Sequence, residues 1–241
     1  MDEPTSVENA DMSRANLGKE PDEVAAMFDG VAKGYDRLND LLSFGRTRAW
    51  RKAATRVIAP APGMRILDLA AGTGASSQPL HEAGATVLST DFSEGMLAQG
   101  RKVRPYLNFS KADALNLSYG AESFDLTTIS FGLRNTLDYR AALVEALRVT
   151  KKGGRVVVVE FSHPTWRPFH VIYMRYLMRL LPVIARTASS NPDAYLYLAE
   201  SIAAWPDQVA LADAMRAAGW SQVQWKNLTF GVVAVHSGIK S

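Results

Sequence analysis

The apolar run FDLTTIS is followed by FGLRN, so Arg134 and Asn135 stand where a buried strand should give way to a turn. A guanidinium keeps its proton near neutral pH and can hold an anionic oxygen, while a neighbouring amide can orient that oxygen. A second group of residues comes earlier. Asp68 lies within RILDLA and is followed by Ala70, Ala71, Gly72, Thr73 and Gly74. Two glycines let the backbone turn tightly and approach a ligand, and the helix that follows offers free N–H groups. Asp91 ends the next strand-like run at a spacing where a carboxylate accepts both hydroxyls of a ribose. Asp113 and Ala114 close the third run, a carboxylate for an amino group of a purine beside a small residue that leaves room for the ring.

Three absences narrow the chemistry. Ser77 occupies the place of the third glycine in the dinucleotide fingerprint, which disfavours NAD. The chain has no cysteine, which excludes disulfides, thiolate metal sites and any thiol nucleophile. Its four histidines, His81, His163, His170 and His236, show no metal-ligand spacing, although His163 and His236 stay candidates for proton acceptors. Together Gly72, Thr73, Gly74, Asp91, Asp113 and Ala114 resemble the S-adenosylmethionine site of Rossmann-like methyltransferases. Asp68 either joins that site or caps the loop from within the strand. Met96 either lies against the adenine or belongs to the core.

The elements that must position these residues follow an alternating pattern. RILDLA, TVLSTD, LNFSKAD, FDLTTIS and RVVVVEFS read as strands, with helices beginning near Ala75, Ser93 and Asp138. SQVQWKNLTFGVVAVHSGIK adds two closing strands around Gly231. Strands apolar on both faces and separated by helices predict an α/β fold, a mostly parallel seven-stranded sheet covered on both sides. Residues 1–20 are polar and aperiodic and are expected to form a disordered tail before a single domain over 21–241. Within that domain, 21–59 reads as a helical cap of two or three helices. Trp166 to Ile184 reads as a helical, apolar segment of an insertion spanning 163–205, and Pro206 to Gly219 as a further helix.

Longer motifs narrow the match. YDRLNDLLSFGRTRAW, LDLAAGTG, TISFGLRN, RVTKKGGRVVVVEFS, YLAESI and NLTFGVVAVHSG, spread from about Val24 to Lys240, resemble the ubiquinone/menaquinone biosynthesis C-methyltransferase family. The resemblance implies a class I methyltransferase that uses S-adenosylmethionine to methylate a ring carbon of a polyprenylated hydroquinone, with demethylmenaquinol the favoured acceptor and a benzoquinol the alternative. It maps cofactor contacts onto Thr73, Asp91, Asp113, Ala114 and Ser130. Thr47, Leu38, Ala71 and Lys152 depart from residues common in the family, and Thr47 replaces a histidine, so that position is no universal base. The missing thiol excludes methylation of pyrimidine C5, and the Pro-Pro motif of amino-methylating enzymes is replaced by SFGLRN.

An oxidised quinone ring is electron-poor, whereas a deprotonated quinol places negative charge on the adjacent carbon. A phenol titrates near 10, and each unit of depression is about 1.4 kcal/mol of stabilisation. Arg134 is therefore expected to support a phenolate, Asn135 to orient the ring oxygen, and Tyr35 to touch the sulfonium or the substrate. The alternatives are a surface ion pair for Arg134, a turn residue for Asn135 and core packing for Tyr35.

The segment WRPFHVIYMRYLMRLLPVIAR is apolar and basic, with Arg175, Arg179 and Arg186 spaced along one helical face. It predicts either a groove for a prenyl tail with peripheral contact to anionic lipid or a plain core helix. The acidic N-terminus lacks a signal-peptide pattern, so a cytoplasmic location is expected, with contact at the inner face of the membrane. A net charge of +3 does not argue for nucleic acid, although RTRAWRKAATR leaves an RNA-binding reading open beside that of a cofactor-binding protein without catalysis or a methyltransferase for another small molecule. The sequence sets no oligomeric state and allows a homodimer.

Overall fold

A computed structural model describes residues 20–32, 45–181 and 192–241, with the single residues 18, 36, 40, 43 and 183. Apart from Gly18 and Glu20, the expected tail lies outside the described residues, as do Tyr35, Leu38 and Arg186. Seven strands form one sheet: β1 (Arg65–Leu69), β2 (Thr86–Asp91), β3 (Asn108–Lys111), β4 (Phe124–Ser130), β5 (Thr150–Phe161), β6 (Trp220–Leu228) and β7 (Val233–Lys240). Their order is β3-β2-β1-β4-β5-β7-β6. The first five strands run parallel, and β7 is antiparallel to both β5 and β6. The chain moves outward from β1 to β3 and then returns to the other side of β1, so a crevice opens at the carboxyl ends of β1 and β4. That crevice receives the glycine loop and the Arg134–Asn135 turn.

The strands form where β-branched and leucine residues bury both faces. Ile66, Leu126, Val157 and Val159 pack on one side, and Leu67, Ile129, Val156 and Val158 on the other. The first side is covered by α2 (Arg46–Ile58) and by the insertion, the second by α5 (Tyr139–Val149) and α8 (Gln208–Ala217). The N-terminal α1 (Pro21–Val31), α3 (Ser77–Glu82) and α4 (Glu94–Val103) complete the helices before β3. Side-chain caps fix several starts: Ser93 accepts from the Met96 N–H, Asp138 from those of Arg140 and Ala141, and Asp207 from that of Ala210.

The insertion differs from its expected form. A helix, α6 (Arg167–Arg175), continues into a π-helical turn at Tyr176–Leu180, and a second helix, α7 (Pro192–Ala203), follows. The π turn adds a residue to the helical repeat and so breaks the straight face on which Arg175 and Arg179 were read. The strand read from Arg155 begins at Thr150, which pairs with Phe124, and a register shift separates that pair from the pairing of Leu126 with Arg155.

Candidate active site

A cavity of about 710 Å³ opens at the crevice and runs beneath α2, α6 and α7. One end is polar and built from loop backbone; the other is lined by aromatic and aliphatic side chains.

At the polar end, Asp91 braces two loops. Its Oδ2 accepts the Gly72 N–H at 2.8 Å and its Oδ1 accepts the Ser93 N–H at 2.9 Å. Burial raises its pKa, and these backbone donors oppose the rise. Gly72 has φ +57°, and a Cβ there would meet Met96 Cε at 3.0 Å, so Met96 fills the space under the loop while also lining the cavity. Asp113 Oδ1 accepts the Leu115 N–H at 2.9 Å, which fixes the turn that presents Ala114. The loops after β1 and β4 press together: a Cβ on Gly132 would lie 2.2 Å from the Ala70 side chain. Ala70 and Phe131 take left-handed φ values of 50° and 58°, so both strands end in backbone strained for these residue types.

Of the residues singled out in the sequence, Gly72, Thr73, Asp91, Met96, Asp113, Ala114, Ser130, Arg134 and Asn135 line the cavity. Asp68 and Gly74 do not. Asp68 is fully buried behind the loop, where its Oδ2 accepts from Ser76 Oγ at 2.8 Å and Ser77 Oγ at 2.6 Å. The serine that replaces a third glycine therefore anchors the loop to the strand. Gly74 packs against Leu107 and Phe109. Tyr35 lies outside the described residues.

Burial pushes the Asp68 pKa from 3.8 up to about 6, against the two serine hydroxyls. A folded-state value above the unfolded one means that its contribution to stability is full below about pH 4 and is lost as pH rises through about 6. Asp68→Asn removes this term. Its melting temperature relative to wild type is expected to rise between pH 4.5 and 7, as read by thermal melts in matched buffers.

Arg134, read in the sequence as the support of a phenolate or as half of a surface ion pair, forms an ion pair that is buried. Its side chain is 4% exposed and Nη1 lies 2.8 Å from Glu160 Oε1, while its own N–H donates to Glu160 Oε2 at 3.2 Å. Nη1 also donates to the Phe131 carbonyl, and the guanidinium lies 5.1 Å from the centre of the Phe161 ring. Arg134 Nε and Asn135 Oδ1 are buried and have no hydrogen-bond partner among the described residues. The pair is thus fixed, nearly neutral as a unit, and retains unused hydrogen-bonding capacity at the cavity.

Several participants went unread in the sequence. Asp36 accepts from Thr73 Oγ1 at 2.9 Å and pairs with Arg104 at 3.2 Å, tying the N-terminal region to the glycine loop. Arg51 lines the cavity, its pKa lowered by burial against the pull of Asp36 and Asp40. Tyr173 and Tyr197 line the cavity beside the Arg134 pair, and burial raises both phenols. Beyond them Trp50, Phe131 and Phe161 form a ring cluster with centroids 5.1–6.1 Å apart, continued by Leu177, Leu181 and Ile202. The histidines stand apart from this space. His163 donates through Nε2 to the Trp205 carbonyl at 2.7 Å, and His236 to that of Gln208 at 2.9 Å, with its pKa lowered by burial. Among the described residues no cluster of acids and histidines could hold a metal ion.

The polar end fits a nucleoside. A carboxylate has about four lone-pair sites, so Asp91 retains capacity for a hydroxyl hydrogen beside its backbone donors, and it stands at the cavity wall with Gly72, Asp113 and Ala114. The chain is 57% identical over 230 residues, 95% of its length and all of the relative's, to a protein of Streptomyces avermitilis named demethylmenaquinone methyltransferase. Its fold is similar to that of a SAM-dependent methyltransferase from Thermotoga maritima, at TM-score 0.68 and 22% identity over 90% of this chain and 100% of that one. It is also similar to the [4+2]-cyclase SpnF, at TM-score 0.62 and 16% identity over 94% and 98%, so architecture alone does not fix the reaction. The match that does bear on activity spans residues 16–240, and by it the chain belongs to the ubiE/COQ5 methyltransferase family.

Proposed function

We propose that the protein methylates a ring carbon of a polyprenylated hydroquinone from S-adenosylmethionine, converting demethylmenaquinol to menaquinol. The relatives' name, demethylmenaquinone methyltransferase, supports this acceptor. The observation that carries the reading is one continuous cavity lined at once by Gly72, Asp91 and Asp113, by Arg134 paired with the buried Glu160, and by aromatic and aliphatic side chains. Asp91 takes the ribose hydroxyls, Asp113 and Ala114 the adenine, and Gly72, Thr73 and Ser130 flank the remainder of the cofactor. When bound, that cofactor supplies an electrophilic methyl group.

The chain's own residues do the rest. Arg134 Nε–H donates to the ring oxygen and favours its anionic form, which raises electron density on the neighbouring carbon. Asn135 Oδ1 accepts the hydrogen of that same hydroxyl while the ring is still neutral and so sets its register, and the proton then leaves to solvent before the methyl group is transferred. Trp50, Phe131 and Phe161 enclose the ring and keep water from the developing charge. The prenyl chain follows the path lined by Leu177, Leu181 and Ile202. Quinone extracts from a strain lacking the gene are expected to accumulate the demethylated precursor; retention of the fully methylated quinone there would refute the reading.

The mouth of the cavity supports delivery from a lipid surface. Phe169 and Ile172 line it, and Ile172 is 63% exposed, as are Trp166 at 64% and Phe230 at 75%. Phe230 packs edge-on against Phe169 with centroids 5.5 Å apart, and Arg167, Arg175 and Arg179 are exposed on the adjoining helix and turn. No helix among the described residues is long and apolar enough to cross a membrane. In our reading the protein acts from the cytoplasmic side, resting this rim on anionic headgroups. Each surface arginine contributes about 1 kcal/mol near such a surface, so Arg175→Gln with Arg179→Gln is expected to reduce partitioning roughly thirtyfold. Flotation with anionic and neutral vesicles reads this directly, and equal partitioning of wild type into both would exclude the contact.

A further inference from the structure

We infer that Tyr197 orients the acceptor, its hydroxyl bonding the second ring oxygen while Arg134 and Asn135 hold the first. This rests on the hydroquinone reading above. Tyr197 comes from α7, which packs against the turn at Leu133–Asn135 and against α1, where Val24 and Met27 enclose the ring. The residue is 2% exposed, and its hydroxyl has no hydrogen-bond partner among the described residues. A buried tyrosine ordinarily finds a partner, because leaving its hydroxyl unpaired carries a desolvation cost. Here that cost persists at a cavity wall.

The surroundings define the missing partner. Arg134 lowers the phenol pKa and Glu160 raises it, so the hydroxyl lies within the field of that pair, and burial prevails and keeps it protonated. Two other cavity-lining residues carry unpartnered buried polar atoms: the donor Arg134 Nε and the acceptor Asn135 Oδ1. Those two come from the carboxyl end of β4, while Tyr197 enters from a separate helix. A planar ring with two oxygens on opposite sides satisfies all three, whereas a ring with one oxygen leaves Tyr197 unpaired. Tyr197 thereby gives the site a preference for diols that the Arg134 turn alone does not supply.

Tyr197→Phe removes the hydroxyl and little else. Its expected effects are a ten- to thirtyfold fall in kcat/KM for reduced demethylmenaquinone, unchanged affinity for S-adenosylmethionine, and a melting temperature equal to or above that of the wild type. Competitive binding of 1,4-dihydroxynaphthalene and 1-naphthol gives a readout that a structural role would not move. Wild type should favour the diol tenfold or more, and the variant should lose that preference. A variant that keeps the wild-type preference, or melts several degrees lower with the same loss for both ligands, overturns the inference. Wild-type protein that transfers no methyl to the reduced acceptor removes the parent reading and this one with it; equal turnover by wild type and variant overturns this one alone.

Discussion

Arg134→Ala is expected to lower kcat about a thousandfold and the melting temperature by roughly 10 °C. Both effects come from the same ion pair. The guanidinium lines the cavity and can hold a ring oxygen as an anion without itself losing a proton, and loss of one preorganised donor to a developing oxyanion costs about 10²–10³ in rate. It is also the counter-charge of Glu160, whose side chain is 1% exposed. An orphaned buried carboxylate costs on the order of 3–5 kcal/mol, at about 2–4 °C per kcal/mol in a domain of this size. The two losses can be separated. Arg134→Met combined with Glu160→Leu removes both charges in favour of apolar side chains, and buried pairs so replaced are often neutral in stability. The double variant should melt near wild type and remain inactive. If it recovers methyl transfer in single-turnover assays, the fixed positive charge has no part in the chemistry.

Asp91→Ala should weaken cofactor binding by roughly a hundredfold or more. A carboxylate that accepts two ribose hydroxyls makes charge-assisted bonds worth roughly 1.5–3 kcal/mol each. Asp91 also holds the Gly72 and Ser93 N–H groups, so its loss loosens the loop that meets the cofactor. The effect belongs to binding, so kcat at saturating cofactor should change far less than KM. Asp68→Asn is the control, because Asp68 lies behind the loop and should leave affinity within a few-fold. Calorimetric titration with S-adenosylmethionine compares the three proteins. An Asp91→Ala affinity within threefold of wild type would take this acid out of the cofactor site.

The sheet was legible because its strands are apolar on both faces and are separated by capped helices, and Ser93 and Asp138 stand at the helix starts that their hydrogen bonds later fix. The loops were legible because glycines and acids mark the carboxyl ends of strands. What lay behind a strand was harder to read. Asp68 shares a face with Ile66, and its carboxylate is taken up by the Ser76 and Ser77 hydroxyls at the start of α3, so it stays behind the loop. Glu160 gave a signal that went unused: a single acid ending VVVV in a buried strand requires a cationic partner. Its partner stands 26 residues earlier, and only the parallel pairing of Ser130 with Val159 brings them together. Asp36 and Tyr197 come from opposite ends of the chain, and no local spacing links either to the loop or turn it meets. The helix bearing Tyr197 falls within the insertion read as helical over 163–205, but nothing in the sequence singled Tyr197 out from the other aromatic residues of that stretch.

The central claim is that an electron-rich, anionic ring carbon is the nucleophile, made so by oxygens held at the Arg134 turn. The direct measurement gives the purified protein S-adenosylmethionine and a prenylated demethylmenaquinone, either reduced and kept anaerobic or left oxidised, and follows methyl incorporation into the ring. Methyl transfer to the reduced form alone, at a rate that rises with pH toward deprotonation of the bound quinol, is the predicted result. Equal transfer to the oxidised quinone would contradict the account.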